Sequence, residues 1–170
     1  MDRLLDEIES YWSTRTEGYS EVNEKELKGM QKKAWLKTLE SGFLEKKLSD
    51  NDKEQLRILD IGTGPGFFPM ILAEAGYHVT AVDYTPGMLE KAAENAAKFI
   101  GEKSSNIEFK RMDAQALEFE DESFDVIISR NLTWNLPHPD QAYGEWLRVL
   151  KKGGKLLNFD ANWYGYLYDD

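Results

Sequence analysis

The pattern of apolar and polar residues divides the chain into two parts. Residues 1–50 carry apolar side chains at helical spacing, for example Leu5 and Ile8 in the first of two expected helices. Leu27 and Ala34 do the same in the second. From Leu56 onward, short apolar runs alternate with amphipathic segments. Strands that alternate with helical crossovers predict a parallel sheet with right-handed connections. We therefore expect an N-terminal helical cap or lid over residues 1–50 and an α/β domain over residues 56–170.

Strands are predicted where apolar, β-favouring residues are bounded by turn signals. The five expected strands are Leu56–Ile61, His78–Asp83, Ile107–Arg111, Phe124–Ser129 and Lys155–Asp160. In the cap, Ser20 is expected to begin the second helix as its N-cap. Residues 49–55 are polar and are expected to be a linker between the cap and the sheet.

One glycine-rich stretch, Arg57–Phe68, has the pattern of a strand, a tight turn and the start of a helix. Its glycines at positions 62, 64 and 66 permit φ > 0 and a close approach of a ligand to the main chain. Open α/β sheets bind ligands at the carboxyl ends of such strands. The dinucleotide fingerprint needs glycine where Phe67 stands, so the spacing disfavours a nicotinamide cofactor. An ordinary βα turn would have the same glycines.

Three aspartates end strands or begin the loops that follow them: Asp60, Asp83 and Asp113. In a parallel sheet all strand carboxyl ends lie at one edge, so these carboxylates should converge. Asp83 is placed to accept both hydroxyls of a ribose, and Asp113 to accept from an adenine amine. Each alone could be a helix cap or a turn residue. Together with the glycine turn they indicate a site for an adenine nucleoside.

Composition and charge narrow the class of protein. The chain has 31 acidic and 21 basic residues and a formal net charge of −10. This balance disfavours nucleic acid and anionic membranes as partners. The sequence has no cysteine, which excludes a disulfide framework and a thiolate metal site, and no metal site is expected. No apolar run approaches the roughly 18 residues of a membrane span, and the expected location is cytoplasmic.

Several segments, in order, resemble the motifs of class I S-adenosylmethionine-dependent methyltransferases. They are Ile58–Phe68, Val82–Thr85, Met112–Leu117, Phe124–Leu136 and Trp146–Leu156. The nearest subgroup is the small-molecule branch, in which proline usually stands at the position of Lys152. The resemblance implies a three-layer, Rossmann-like α/β fold with strand order 3-2-1-4-5. The family's strands six and seven have no counterpart before Asp170, so we expect a truncated form of this fold.

The resemblance also implies S-adenosyl-L-methionine as the cofactor and methyl transfer to a small-molecule acceptor as the reaction. The residues implied for cofactor binding are Arg15, Tyr19, Asp60, Gly62, Thr63, Gly64, Gly66, Asp83, Tyr84, Met88, Asp113, Ala114, Arg130 and Asn131. Trp12, Arg15 and Tyr19 match a lid pattern of the subgroup, and the alternative is that the aromatic residues of this segment pack the cap onto the core. No catalytic base is identified, and the candidates near the active edge are Asn131, Trp134 and His138.

Two other functions remain open from the sequence: a module that binds S-adenosylmethionine without turnover, and a nicotinamide-dependent oxidoreductase. Phe67 and the Asp113–Ala114 pair argue against the oxidoreductase. An exposed edge at strand five would present unpaired backbone groups, which is a template for pairing. The aromatic tail Trp163–Tyr168 follows that edge, and two arrangements would cover it: the tail folded back over the edge, or a homodimer through the edge, which we favour.

Overall fold

The computed structural model describes residues 3–44 and 48–161. Its sheet has five parallel strands in the order β3-β2-β1-β4-β5, which confirms the predicted fold class. The strands are β1 Arg57–Ile61, β2 His78–Asp83, β3 Ile107–Arg111, β4 Phe124–Arg130 and β5 Leu150–Phe159. The α-helices are α1 Arg3–Ser13, α2 Thr16–Lys28, α3 Gln31–Phe43, α4 Asp50–Gln55, α5 Phe67–Glu74, α6 Pro86–Ile100 and α7 Pro139–Val149.

The side chains of the central strand β1 show why helices pack on both faces of the sheet and give three layers. Because side chains alternate along a strand, Ile58 faces one side of the sheet, while Leu59 and Ile61 face the other. Ile58 packs in a core with α2, α3, α5 and α6, whereas Leu59 packs with Trp146 of α7. Both faces of the sheet are therefore covered, as expected when the strands of a parallel sheet read as continuous apolar runs.

Residues 3–44 contain three helices where the pattern predicted two for residues 1–50. The second begins at Thr16 rather than after Ser20, and Ser20 is a buried residue within α2, so its prediction as an N-cap was wrong. The predicted second helix continued across Gly29, whereas in the structure α2 ends there. Leu39 of α3 is fully buried in the same core as α5. The division into a cap over 1–50 and a domain over 56–170 stays a prediction.

The predicted linker at 49–55 contains the short helix α4. Ser49 begins it with a capping box, in which the Ser49 hydroxyl accepts from the Asp52 amide at 3.2 Å and the Asp52 carboxylate accepts from the Ser49 amide at 3.4 Å. The Lys53 ammonium donates to the carbonyl of Ala75 at 3.0 Å and so fixes α4 against the end of α5. The polar composition of this segment did not predict a helix, because α4 buries little surface and so needs no apolar face.

Strand β5 begins at Leu150, earlier than the predicted start at Lys155. Its register against β4 is irregular, since Phe124 faces Leu150 whereas Val126 faces Lys155. β5 pairs with β4 and forms an edge of the sheet within the described residues. The aromatic tail that follows this edge lies outside those residues, so both its folding back and the homodimer stay predictions. Across 3–44 and 48–161, no helix is both long and apolar enough to cross a membrane.

Candidate functional site

A cavity of about 350 Å³ lies at the carboxyl edge of the sheet, beneath α1 and α2. Its volume is near the lower end of the range for small-molecule sites. The structure brings most of the predicted cofactor residues into its lining: Tyr19, Asp60, Gly62, Thr63, Gly64, Asp83, Tyr84, Met88, Asp113, Ala114, Arg130 and Asn131. Arg15 and Gly66 lie outside the lining, as do Trp134 and His138 of the catalytic candidates.

The glycine turn is tied to the neighbouring strand by its own backbone. The amides of Gly62 and Thr63 both donate to the carbonyl of Val82 in β2, at 2.9 and 3.0 Å. Gly64 has φ +52°, and a side chain there would meet no protein atom within 4 Å. A Cβ on Gly66 would come within 3.0 Å of the Ala92 side chain. Gly64 therefore leaves room above the turn, whereas Gly66 allows α5 and α6 to pack closely.

Asp83 organises the turn from the end of β2. One carboxylate oxygen accepts from the Gly64 amide at 2.8 Å and the other from the Thr85 amide at 2.9 Å. Burial raises the pKa of the Asp83 carboxyl, although these bonds oppose the rise. A carboxylate has about four acceptor positions, so each oxygen can accept again from a ligand in the cavity. Paired hydroxyls of a ribose suit this arrangement.

Asp60 is buried, and the groups around its carboxylate do not offset the cost of burying a charge there. Burial raises the pKa of Asp60 to about 7, the charge of Asp83 adds to the rise, and the Thr63 hydroxyl and Arg130 oppose it. Although Thr63 lies near Asp60, its Oγ1 is buried and makes no hydrogen bond of normal geometry. An unpaired buried hydroxyl beside an under-compensated carboxylate suits a positively charged, hydrogen-bonding ligand. This part of the cavity therefore fits the amino-acid end of S-adenosylmethionine.

The buried state of Asp60 predicts a pH effect on stability in the absence of ligand. Its folded pKa of about 7 lies above its usual 3.8, so the folded state holds the extra proton between these values. The free energy of unfolding should therefore fall as pH rises from about 4 to 7, by a few kcal/mol at most from this group. Urea unfolding of the wild type and Asp60→Asn across this window tests it. If the free energy of unfolding changed with pH in the same way for both proteins, the effect would be contradicted.

The loop after β4 folds back over the glycine turn. Asn131 holds φ +55°, which is uncommon for a residue other than glycine, and its amide donates to the carbonyl of Phe159. Asp160, just beyond β5, accepts from the Leu132 amide at 3.0 Å and from the Thr133 hydroxyl. The Leu132 side chain lies over Gly62, within 2.8 Å of where a Cβ would stand. The end of β5 thus positions the loop that covers the turn.

Replacing Asp160 with alanine should loosen this loop. The Leu132 amide would lose a charged acceptor, so its hydrogen exchange should become about 10-fold faster or more. The amide of Ser123, which donates to the carbonyl of Val149 away from the loop, serves as the internal control. Equal protection of Leu132 in the variant and the wild type would show that Asp160 does not hold the loop.

Helix α1 closes the cavity from outside. Leu5, Ile8 and Trp12 line the cavity at the spacing of one helix face, and Glu9 pairs with Arg111 of β3 at 3.0 Å. Trp12 also packs edge-on against Tyr19, with ring centroids 5.1 Å apart. The sequence showed an apolar face on this helix but not what it covers. Leu5 and Ile8 were therefore missed as site residues.

The remaining predicted residues lie at the margin of the cavity. The Arg15 guanidinium is placed over the Tyr11 ring, 4.2 Å from its centroid, rather than over the cavity. Trp134 is 41% exposed and touches Trp12 edge-on. The amide of His138 donates to the Gln115 side chain at 2.7 Å, and Gln115 in turn donates to Asp113. Gln115 links Asp113 to this loop and was not expected from the sequence.

A buried polar network joins α2 to the turn. The Asn95 side chain of α6 donates to the Ser20 hydroxyl at 3.0 Å and to the carbonyl of Pro65 at 3.1 Å. Both Ser20 and Asn95 are buried, at 7% and 6% exposure. The position of α2 is thereby coupled to the backbone of the glycine turn.

Arg130, at the end of β4, brings a positive charge to this edge. It makes a two-pronged ion pair with Glu26 of α2, in which its Nη1 and Nη2 lie 3.0 and 2.8 Å from the two carboxylate oxygens. Glu26 lines the same cavity but was missed by the sequence reasoning, because it lies among other charged residues of a helix. Arg130 and Glu26 thus join the sheet edge to the helix above it.

Comparison with known proteins identifies relatives of this arrangement. The model of the family described as "Methyltransferase domain" matches residues 59–158. A demethylmenaquinone methyltransferase of Clavibacter sepedonicus is 38% identical over 101 residues, which cover 59% of this chain and 39% of that protein. The chain spans about two fifths of the length of the first curated relatives that it matches.

Solved structures agree on the fold. A putative S-adenosylmethionine-dependent methyltransferase of Methanococcus maripaludis has a TM-score of 0.69 and 21% identity, over 85% of this chain and 62% of that one. Phosphoethanolamine N-methyltransferase 2 of Haemonchus contortus, solved with phosphomonomethylethanolamine and S-adenosylhomocysteine, has a TM-score of 0.59. It is 32% identical, over 72% of this chain and 27% of that one.

Proposed function

This chain belongs to the methyltransferase domain family, and on that premise we propose that it transfers the methyl group of S-adenosylmethionine to a small-molecule acceptor. The observation that supports the proposal best is the cavity above the glycine turn, with Asp83 bonded to the Gly64 amide inside it. Gly64 leaves the space above the turn open, and Asp83 retains acceptor positions for a ribose.

Different residues along the sheet edge would bind different parts of S-adenosylmethionine. Asp83 would accept from the ribose hydroxyls, while Tyr84 and Met88 would flank the adenine and Asp113 would read its edge. At the other end, Asp60 would meet the amino group of the methionine part beside the glycine turn. These assignments follow the strand order, since β3, β2 and β1 lie next to one another.

When bound, S-adenosylmethionine supplies a methyl group already activated by a positively charged sulfur. The protein is left with positioning the reactants and excluding water. Helix α1 contributes Leu5 and Ile8 to the cavity, and the loop after β4 contributes Leu132, so apolar side chains shield the space from solvent. No acid–base group has to act on the donor.

The acceptor is proposed only as a small molecule. Two of the relatives are named demethylmenaquinone methyltransferase and phosphoethanolamine N-methyltransferase 2, and these names indicate different acceptors. Asn131 at the end of β4 lies at the cavity and is the candidate for contact with the acceptor. Trp134 and His138 stay candidates at its margin. A cytoplasmic location and the lack of a nucleic-acid partner also stay predictions.

A titration followed by a turnover assay tests the proposal. Calorimetry should detect binding of S-adenosylmethionine and S-adenosylhomocysteine but not of NAD. Incubation with S-adenosylmethionine and a panel of amines, thiols, phenols and quinols should then release S-adenosylhomocysteine with at least one acceptor. Binding without product across the panel would favour a module that holds the cofactor without turnover. Preference for NAD would contradict the proposal.

A further inference from the structure

The ion pair between Glu26 and Arg130 has no role in the function proposed so far. We propose that Glu26 is a positioning residue, which fixes Arg130 to receive the carboxylate at the amino-acid end of the cofactor. The pair would then make the site select ligands that carry this amino-acid group over the same nucleoside without it. The inference rests on the proposed function and deepens it.

The geometry of the pair fixes the guanidinium in direction as well as in place. Both terminal nitrogens of Arg130 are held by both oxygens of Glu26, and such forked pairs are stronger and more directional than single contacts. The two side chains are only 26% and 16% exposed. The pair connects residues 104 positions apart, so it is a tertiary contact and not a feature of one helix surface.

Aromatic rings hold the same guanidinium from other directions. Its central carbon lies 4.8 Å from the ring centroid of Trp35, 5.6 Å from Phe67 and 5.7 Å from Phe68. Phe67 and Phe68 begin α5, directly after the glycine turn. A planar cation stacked in this way is kept beside the turn, where the amino-acid end of the ligand is expected.

Charge explains why a carboxylate would need this residue. Within the described residues, the cavity is lined by Glu26, Asp60, Asp83 and Asp113, and its one Lys or Arg is Arg130. A ligand carboxylate that enters an acidic cavity is repelled unless a cation accompanies it. Arg130 has further N–H donors beyond those given to Glu26. It can therefore bridge Glu26 and a ligand carboxylate without breaking the pair.

Glu26 also keeps Arg130 from a competing partner. Asp60 lies near enough for the charge of Arg130 to lower the pKa of that carboxyl. Without the Glu26 carboxylate, the guanidinium would be drawn toward Asp60. That would occupy both groups expected to meet the ligand's ammonium and carboxylate. Loss of Glu26 should thus harm recognition of the amino-acid end and leave the nucleoside end unaffected.

Two ligands that differ only at this end provide the test. S-adenosylhomocysteine carries the amino-acid group, whereas 5′-methylthioadenosine has the same adenine, ribose and thioether without it. In Glu26→Gln, calorimetry should show binding of S-adenosylhomocysteine about 10-fold weaker or more. Binding of 5′-methylthioadenosine should change less than about twofold. Arg130→Lys, which keeps the charge but loses the fork, should show the same difference.

Glu24→Gln is the matched control. Glu24 lies on the same helix and pairs with Lys28 and Lys98 outside the cavity lining, so this variant should bind both ligands normally. If Glu26→Gln does not fold, Glu26→Asp, which keeps the charge on a shorter side chain, should show the same selective loss in smaller degree.

Three results would overturn the inference. Equal weakening of both ligands would mean that Glu26 only supports α2. Unchanged or tighter binding of S-adenosylhomocysteine in Glu26→Gln would mean that Glu26 is neutral or competes with the ligand for Arg130. Wild-type protein that binds neither ligand would contradict the proposed function itself, and the inference would fall with it.

Discussion

Replacement of Asp83 by alanine is expected to weaken binding of S-adenosylhomocysteine by about 10- to 150-fold. The range corresponds to the loss of charge-assisted hydrogen bonds to the ribose, worth about 1.5–3 kcal/mol. The structure adds a second reason, because Asp83 also accepts from the amides of Gly64 and Thr85. The variant would loosen the glycine turn as well as remove ligand contacts, so the upper part of the range is expected. Calorimetry on the folded variant measures it.

Asp125→Ala is a control for general damage to the sheet. Asp125 also accepts from a backbone amide, that of Arg57, and pairs with Lys151, but it lies at the opposite end of the strands. This variant should lose some stability and bind the ligand normally. Normal binding by folded Asp83→Ala would instead remove Asp83 from the site.

The second large effect is expected at Gly64. A valine there would project into the open space above the turn and would be held at φ +52°, which costs roughly 1–2 kcal/mol for a residue with a side chain. Since no protein atom lies within 4 Å of the added Cβ, the variant should fold. The ligand would lose that space, and binding should fall by more than about 100-fold by calorimetry.

Gly101→Val separates strain from obstruction. Gly101 has φ +54° and also leaves an added Cβ without neighbours within 4 Å, but it follows α6 and lies outside the cavity lining. It should lose stability, since φ +54° with ψ −125° strains any residue that has a side chain, and it should bind the ligand normally. If Gly64→Val bound the ligand as tightly as Gly101→Val, the ligand would have to lie elsewhere.

The strands β1 to β4 were predicted to within a residue because each is a short apolar run bounded by turn signals. The start of β5 was not, since Lys151–Gly154 has no apolar alternation and lies at an irregularity, and regular pairing with β4 begins only at Lys155. Helix α4 was missed for a similar reason: its capping box is local, but nothing in its composition indicates burial. Tertiary pairing and capping decided these segments.

The site shows the same division between local and distant information. The glycine turn and Asp83 lie within short segments whose order along the chain could be read directly. Glu26 could not be identified, because its role depends on how α2 crosses the end of β4, and the charged residues around it on that helix look alike. Leu5 and Ile8 were visible as an apolar face, but the cavity beneath them was not.

The anchor at Asp160 has a consequence for biosynthesis. Residues of the glycine turn are made early, yet the loop that covers them is held by a side chain that follows the last described strand. Chains generally fold during synthesis from the N-terminal side, at about 5–20 residues per second. Strands β1 to β4 would therefore emerge from the ribosome while the loop over the turn is still unanchored. A nascent chain can close this site only after β5 has been translated.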